Sequence, residues 1–131
     1  MLVALLGAAC GAGDLGSTAL SQRAGSLQSS AAEGALLAHD AASGRTTGTF
    51  TREHSAELAA AASGSAASLR SATTRPSLRP ELRRLVGLAD EIEADLERIG
   101  GASTDEQRVL SRRLDEAARQ SEAIGMRLAS S

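Results

Sequence analysis

Residues 80–99, PELRRLVGLADEIEADLERI, decide the fold. Within them Leu82, Leu85, Ala89, Ile92, Leu96 and Ile99 recur at alternating spacings of three and four, the period of one helical face. Pro80 suits a first helical position, where its missing N–H is no loss, and Gly100 with Gly101 supplies a stop. The spacing therefore predicts a helix over 80–99. After a three-residue break, Ser103 and Glu106 match a capping box, and Leu110, Leu114, Ala117, Ser121, Ile124 and Leu128 carry the stripe onward, predicting a helix over 104–129. So short a connection lays the two helices antiparallel, with residues whose numbers sum to about 206 facing each other. Leu96 then meets Leu110, Ile92 meets Leu114, Glu93 comes near Arg113 and Arg84 near Glu122.

Composition extends this reading to the whole chain. Of 131 residues, 27 are Ala and 18 are Leu, against three Val, three Ile, one Phe and no Tyr or Trp. Ala and Leu lead the helix scale, whereas pleated sheets draw on the β-branched and aromatic residues that are scarce here. In the first half, Leu20, Ala24, Leu27, Ala31, Gly34 or Ala35, and Ala38 form a stripe of mostly small side chains, predicting a helix over 15–43 that Gly44 ends. The turn-rich RTTGT of residues 45–49 follows, with Thr51 as the expected N-cap of a helix whose inner stripe is His54, Leu58, Ala61, Ser65, Leu69 and Ala72. The expected fold is all-α: an antiparallel four-helix bundle of two hairpins, an Ala/Ser/Gly-rich one over 14–75 and a Leu/Ile-seamed one over 76–131. Gly16, Gly25, Gly34 and Gly64 fall within the helices expected of the first pair, each weakening a helix by about 1 kcal/mol relative to Ala, so that pair should be the less stable.

The chain opens MLVALLGAAC, nine apolar or small residues before its one cysteine, followed by Gly11, Ala12 and Gly13. The apolar run is too short to span a bilayer, which takes about 20 residues as a helix. It resembles the end of a bacterial lipoprotein signal peptide, with Gly7 standing where that family favours Leu and no basic residue before Arg23. The resemblance implies that Cys10 becomes the lipidated first residue of a mature chain. Residues 1–13 would then be signal and tether, and the protein would sit on the extracytoplasmic face of a membrane as an envelope module with a possible protein partner. Secretion after ordinary cleavage, or a cytoplasmic N-terminus, is the alternative address. Gly11, Gly13 and Gly16, with Asp40 further on, also outline a dinucleotide fingerprint, but the strand it needs would hold one β-branched residue, Val3.

Little in the sequence points to catalysis. With all 14 basic residues Arg and none Lys, there is neither a P-loop lysine nor a Schiff-base amine. No small-molecule substrate or cofactor is indicated. Folding about residues 44–50 would bring His39 and Asp40 towards His54 and Glu57, donors of the kind helix bundles use for metals; a metal-binding or metal-dependent bundle is the competing reading. The ordinary explanation for both histidines is a place near helix ends, His39 by a C-terminal dipole and His54 in a first turn. The net charge is −2, and arginines are offset by acids in every segment, so no strong attraction to nucleic acid or anionic lipid is expected.

Overall fold

In the computed structural model, which describes residues 14–130, each of the four expected helices forms: α1 (Ser17–Ala42), α2 (Gly48–Ser71), α3 (Arg79–Arg98) and α4 (Thr104–Ala129). Short 3-10 turns over Pro76–Leu78 and Ile99–Gly101 lead into α3 and out of it. Among the described residues there is no strand, only an isolated backbone bridge between Asp14 and Thr73. The lipoprotein-like segment and Cys10 lie outside the described residues.

Local chemistry explains most of the boundaries. Ser103 accepts the Glu106 N–H at 3.2 Å and starts α4 where the capping pattern placed it. Gly44 adopts φ +71°, a conformation that suits glycine, as the chain turns out of α1; the Arg45 N–H closes the turn on the Asp40 carbonyl at 2.9 Å. The start of α2 differs from expectation. Thr47 rather than Thr51 is the cap, accepting the Phe50 N–H at 3.1 Å, while Thr51 is buried in the first turn and donates to the Thr47 carbonyl at 2.8 Å. Thr47 offers the same hydroxyl one turn earlier, and Gly48 is tolerated at a helix start. Pro80 stands second in α3 rather than first, still where a missing N–H breaks no helical bond.

In α3 and α4 the expected face is the buried face. Leu85, Ala89, Ile92, Leu96 and Ile99, and all six stripe residues of α4, are buried, with Leu82 half-buried. In α2 the face is rotated: Thr51, Ser55, Leu58, Ala59, Ala62, Ala66 and Leu69 point inward, whereas Ala61 is exposed and His54 and Ser65 are half-exposed. Only Leu58 and Leu69 are shared with the expected stripe. A run such as Ala59–Ala62 is equally apolar on every face, and the two leucines fit either phase, so the local pattern does not fix the rotation.

The most extensive seams join α1 to α4 and α2 to α3, so the two halves of the sequence are interleaved in space. Small residues let α1 and α4 approach closely. Ser21 donates to the Gly125 carbonyl at 3.0 Å, and Ser111 donates to the Ala35 carbonyl at 2.8 Å, so side chains of each helix reach the backbone of the other. A Cβ at Gly125 would stand 3.3 Å from the Ala24 Cβ. At Gly34 the missing side chain is replaced by neighbours, since a Cβ there would collide with Leu96 Cδ2 and stand 3.2 Å from Leu114 Cδ1. At Gly100 a Cβ would come 3.2 Å from the Cα of Arg52, which brings the end of α3 against the start of α2. Leucines and isoleucines of all four helices fill the remaining interior, and Ser121 Oγ is buried among them with no hydrogen-bond partner.

These contacts define two ends. At one, Leu15 N–H donates to the Thr73 carbonyl at 2.8 Å and Thr74 Oγ1 donates to the Leu15 carbonyl at 2.6 Å, joining the start of α1 to the α2–α3 connection; the Ser21–Gly125 bond brings the end of α4 there too. At the other lie residues 43–47 and 99–103, linked by the Arg52–Gly100 contact and by Arg98 to Glu106 at 3.1 Å. Dividing each helix at its midpoint, the first end holds eight arginines against three acids, net +5, and the second holds six against thirteen, net −7. Charge that is balanced along the sequence is thus separated in space.

Glycines with and without neighbours should respond oppositely to substitution. Gly64→Ala, where nothing lies within 4 Å of the new methyl, should raise stability by about 0.5–1 kcal/mol in urea unfolding. Gly34→Val should lower it by about 1–3 kcal/mol through overpacking. Ser121→Ala should be stabilising by on the order of 1 kcal/mol, because it removes a buried hydroxyl that lacks a partner.

Candidate functional site

The interior is built from Ala, Leu and Ile, and the one phenylalanine of the chain is left outside it. Phe50 is 52% exposed in the first turn of α2, where the Thr47 cap fixes its backbone, and Leu36 is 61% exposed on α1. Both line a shallow open hollow of about 230 Å³, floored by the buried Leu37 and rimmed by Glu33, Asp40 and Thr46. His54 completes it. Its ring stacks on Phe50 with centroids 5.5 Å apart and planes at 23°, and its Nδ1 stands 3.7 Å from a Glu57 carboxylate oxygen. On the other side of Leu36, Ala35, His39, Ser111, Arg112 and Asp115 line a second depression against α4. Leu36 is therefore the ridge between two hollows at the acidic end.

The fold brings some of the sequence-derived metal candidates together and separates others. Asp40 and His54 share the first hollow and Glu57 reaches His54, but His39 lines the second. Among the described residues no group of three or more His, Cys, Asp or Glu side chains is placed to hold a metal. His39 lies in the last turn of α1, as its dipole reading expects, whereas His54 sits in the second turn of α2, beyond the Thr47 cap. Phe50 did not register in the sequence because it belongs to no stripe. Its signal is negative, a lone ring just after a turn, on a helix whose buried face is otherwise Ala, Leu and small hydroxyls.

A second cleft runs between α3 and α4, lined by Glu91, Asp95, Arg112, Arg113, Glu116 and Gln120. Asp95 is buried, 4% exposed, and accepts from Arg113 Nε at 3.0 Å, with Arg98 at 4.0 Å. The hydrogen bond and charge of Asp95 raise the Arg113 pKa above its ordinary value, so the guanidinium stays cationic beside it. The sequence placed Glu93 opposite Arg113. Asp95 takes that role because it lies on the buried face between Ile92 and Ile99, whereas Glu93 is turned towards the edge. The expected Arg84–Glu122 pair is not among the ion pairs of the described residues. The chemistry of this cleft is internal, charge answering charge across a helix seam.

No protein-family model, curated protein or solved structure matches the chain.

Removing Arg113 leaves the Asp95 carboxylate buried with only a distant partner. Arg113→Ala should lower stability by about 1–3 kcal/mol in denaturant unfolding. Glu93→Ala should stay within about 0.5 kcal/mol of the parent. An equal loss from both would place the ion pair elsewhere.

Proposed function

We propose that the chain is an antiparallel four-helix bundle of two helical hairpins that acts, without catalysis, as an interaction or structural module of a bacterial cell envelope. Lipid on Cys10 holds it to the extracytoplasmic face of the membrane, and the Leu36–Phe50 surface meets a protein partner. The observation that carries this reading is the placement of an exposed leucine and the one phenylalanine around a common hollow floored by the buried Leu37. The hollow also lies at the end of the bundle away from residue 14, where a module tethered through its N-terminus would present a contact surface. The hairpin topology is supported by Ser21 with Gly125 and Ser111 with Ala35, in which numbers fall on α4 as they rise on α1.

The non-catalytic reading is supported by what the nucleophile-type side chains do. Buried and half-buried serines such as Ser21, Ser55 and Ser111 donate to backbone carbonyls, and among the described residues no hydroxyl is bonded to either histidine. A nucleophile needs a base within hydrogen-bond reach. No helix among the described residues is long and apolar enough to cross a bilayer.

Mass spectrometry of the mature protein from membranes should find an N-terminal Cys10 carrying acyl chains, and Cys10→Ser should release the protein from membranes washed at about 0.5 M salt, where headgroup attraction is screened. An intact Met1 on protein in the soluble fraction would overturn the address. Leu36→Ser and Phe50→Ala should leave stability within about 0.5 kcal/mol of the parent, as befits residues held for contact. Stoichiometric zinc, iron or copper in purified protein, lost in His39→Ala and His54→Ala, would replace this reading with a metal-dependent one.

A further inference from the structure

We infer that the basic end of the bundle, built around Arg79, Arg83 and Arg84, is a docking surface for anionic lipid headgroups that stands the bundle upright on the membrane. Its arginines are free to act outward. Among the described residues Arg23, Arg75, Arg79, Arg83, Arg84 and Arg127 are exposed and take part in no ion pair, whereas most arginines of the opposite end are paired with acids. At 1.5 Å per residue along a helix, all six lie within roughly 9 Å of the end where residue 14 joins α1. The carboxylates there are few. Glu81, Glu122 and Asp14, which accepts from the Thr73 hydroxyl, are the three that stand against these six guanidinium groups.

The partner follows from where the chain continues. Residue 14 is fastened to the α2–α3 connection, so the apolar MLVALLGAAC segment joins the bundle at its positive end. An apolar or lipid-bearing segment continuous in sequence with a basic surface is the pair of signals that an anionic bilayer answers, one chain alone giving marginal attachment. Nucleic acid would use the charge and leave the apolar segment without a role. The acidic end would be repelled were it the one turned to the same surface, so the charge separation favours one polarity as well as attraction. The Leu36–Phe50 hollow then stands roughly 30 Å above the headgroups, the length of the α1 turns between Ser17 and Leu36.

This orientation rests on the proposed membrane address, but its test does not need lipidation. Full-length Cys10→Ser protein is co-sedimented with vesicles of phosphatidylcholine, with or without 30% phosphatidylglycerol. Binding to the anionic vesicles should exceed that to neutral ones at low salt and be lost at about 0.5 M salt, where the screening length is only a few ångströms. Each basic residue near an anionic surface contributes about a factor of five, so Arg79→Ala/Arg83→Ala/Arg84→Ala should lower partitioning about 100-fold. Arg45→Ala/Arg108→Ala/Arg112→Ala removes the same charge from the other end and should change it by less than about threefold. Circular dichroism of both variants checks that each folds. Equal losses from the two triples, salt-independent binding, or tighter binding to a DNA duplex than to anionic vesicles at the same salt would overturn the docking surface. Lack of lipid on Cys10 in cells, with this vesicle pattern intact, would overturn the anchor and leave the surface standing.

Discussion

The bundle depends on how closely α1 and α4 lie. Their side-chain hydroxyls reach each other's carbonyls, and Gly34 and Gly125 leave room where a neighbouring side chain presses in. That approach is open only to Ala, Gly and Ser, which is why a half with so few large residues still has a buried face. The leucines and isoleucines contributed by α3 and α4 fill what the small residues leave. Phe50, in the first turn of α2, stays on the surface beside Leu36 and gives the acidic end an apolar hollow.

How much of this could be read beforehand varied with side-chain size. In α3 and α4, Leu and Ile stand against charged residues, so the apolar phase is unambiguous and the buried stripe agrees with the periodicity. In α2, alanine runs look alike from every side, and the observed rotation is set by contacts with α3 and α1 that no local pattern encodes. The N-cap moved from Thr51 to Thr47 for a related reason: two threonines offer the same chemistry one turn apart, and packing that buries Thr51 selects between them. Asp95 was legible in principle, since an acid between Ile92 and Ile99 on the stripe must be answered by a cation. The meeting of Asp40 and His54 followed from the turn between their helices. The part played by Phe50 did not, because a residue outside every pattern is visible only once the interior is known.

Charge shows the same division between what is local and what is assembled. Along the sequence, arginine-rich and acid-rich stretches alternate and nearly cancel. Folding back and forth places the arginine-rich start of α3 beside the end of α2 and puts its acidic second half with the first residues of α4. A modest overall charge of −2 therefore conceals a difference of twelve charges between two ends of one small bundle. Composition reports the total, and only the path of the chain reports the separation.

The bonds that hold Leu15 to Thr73 and Thr74 also decide how the molecule would carry a mechanical load. Tension arriving at residue 14 does not peel α1 from its tip, because that tip is clasped to the middle of the chain. The pull is shared at once with the ends of α2 and α3, and those few bonds must part together before the first helical turn can unwind. The clasp makes the beginning and the midpoint of the polypeptide a single point of attachment, a strain relief at the place where a tether would tug.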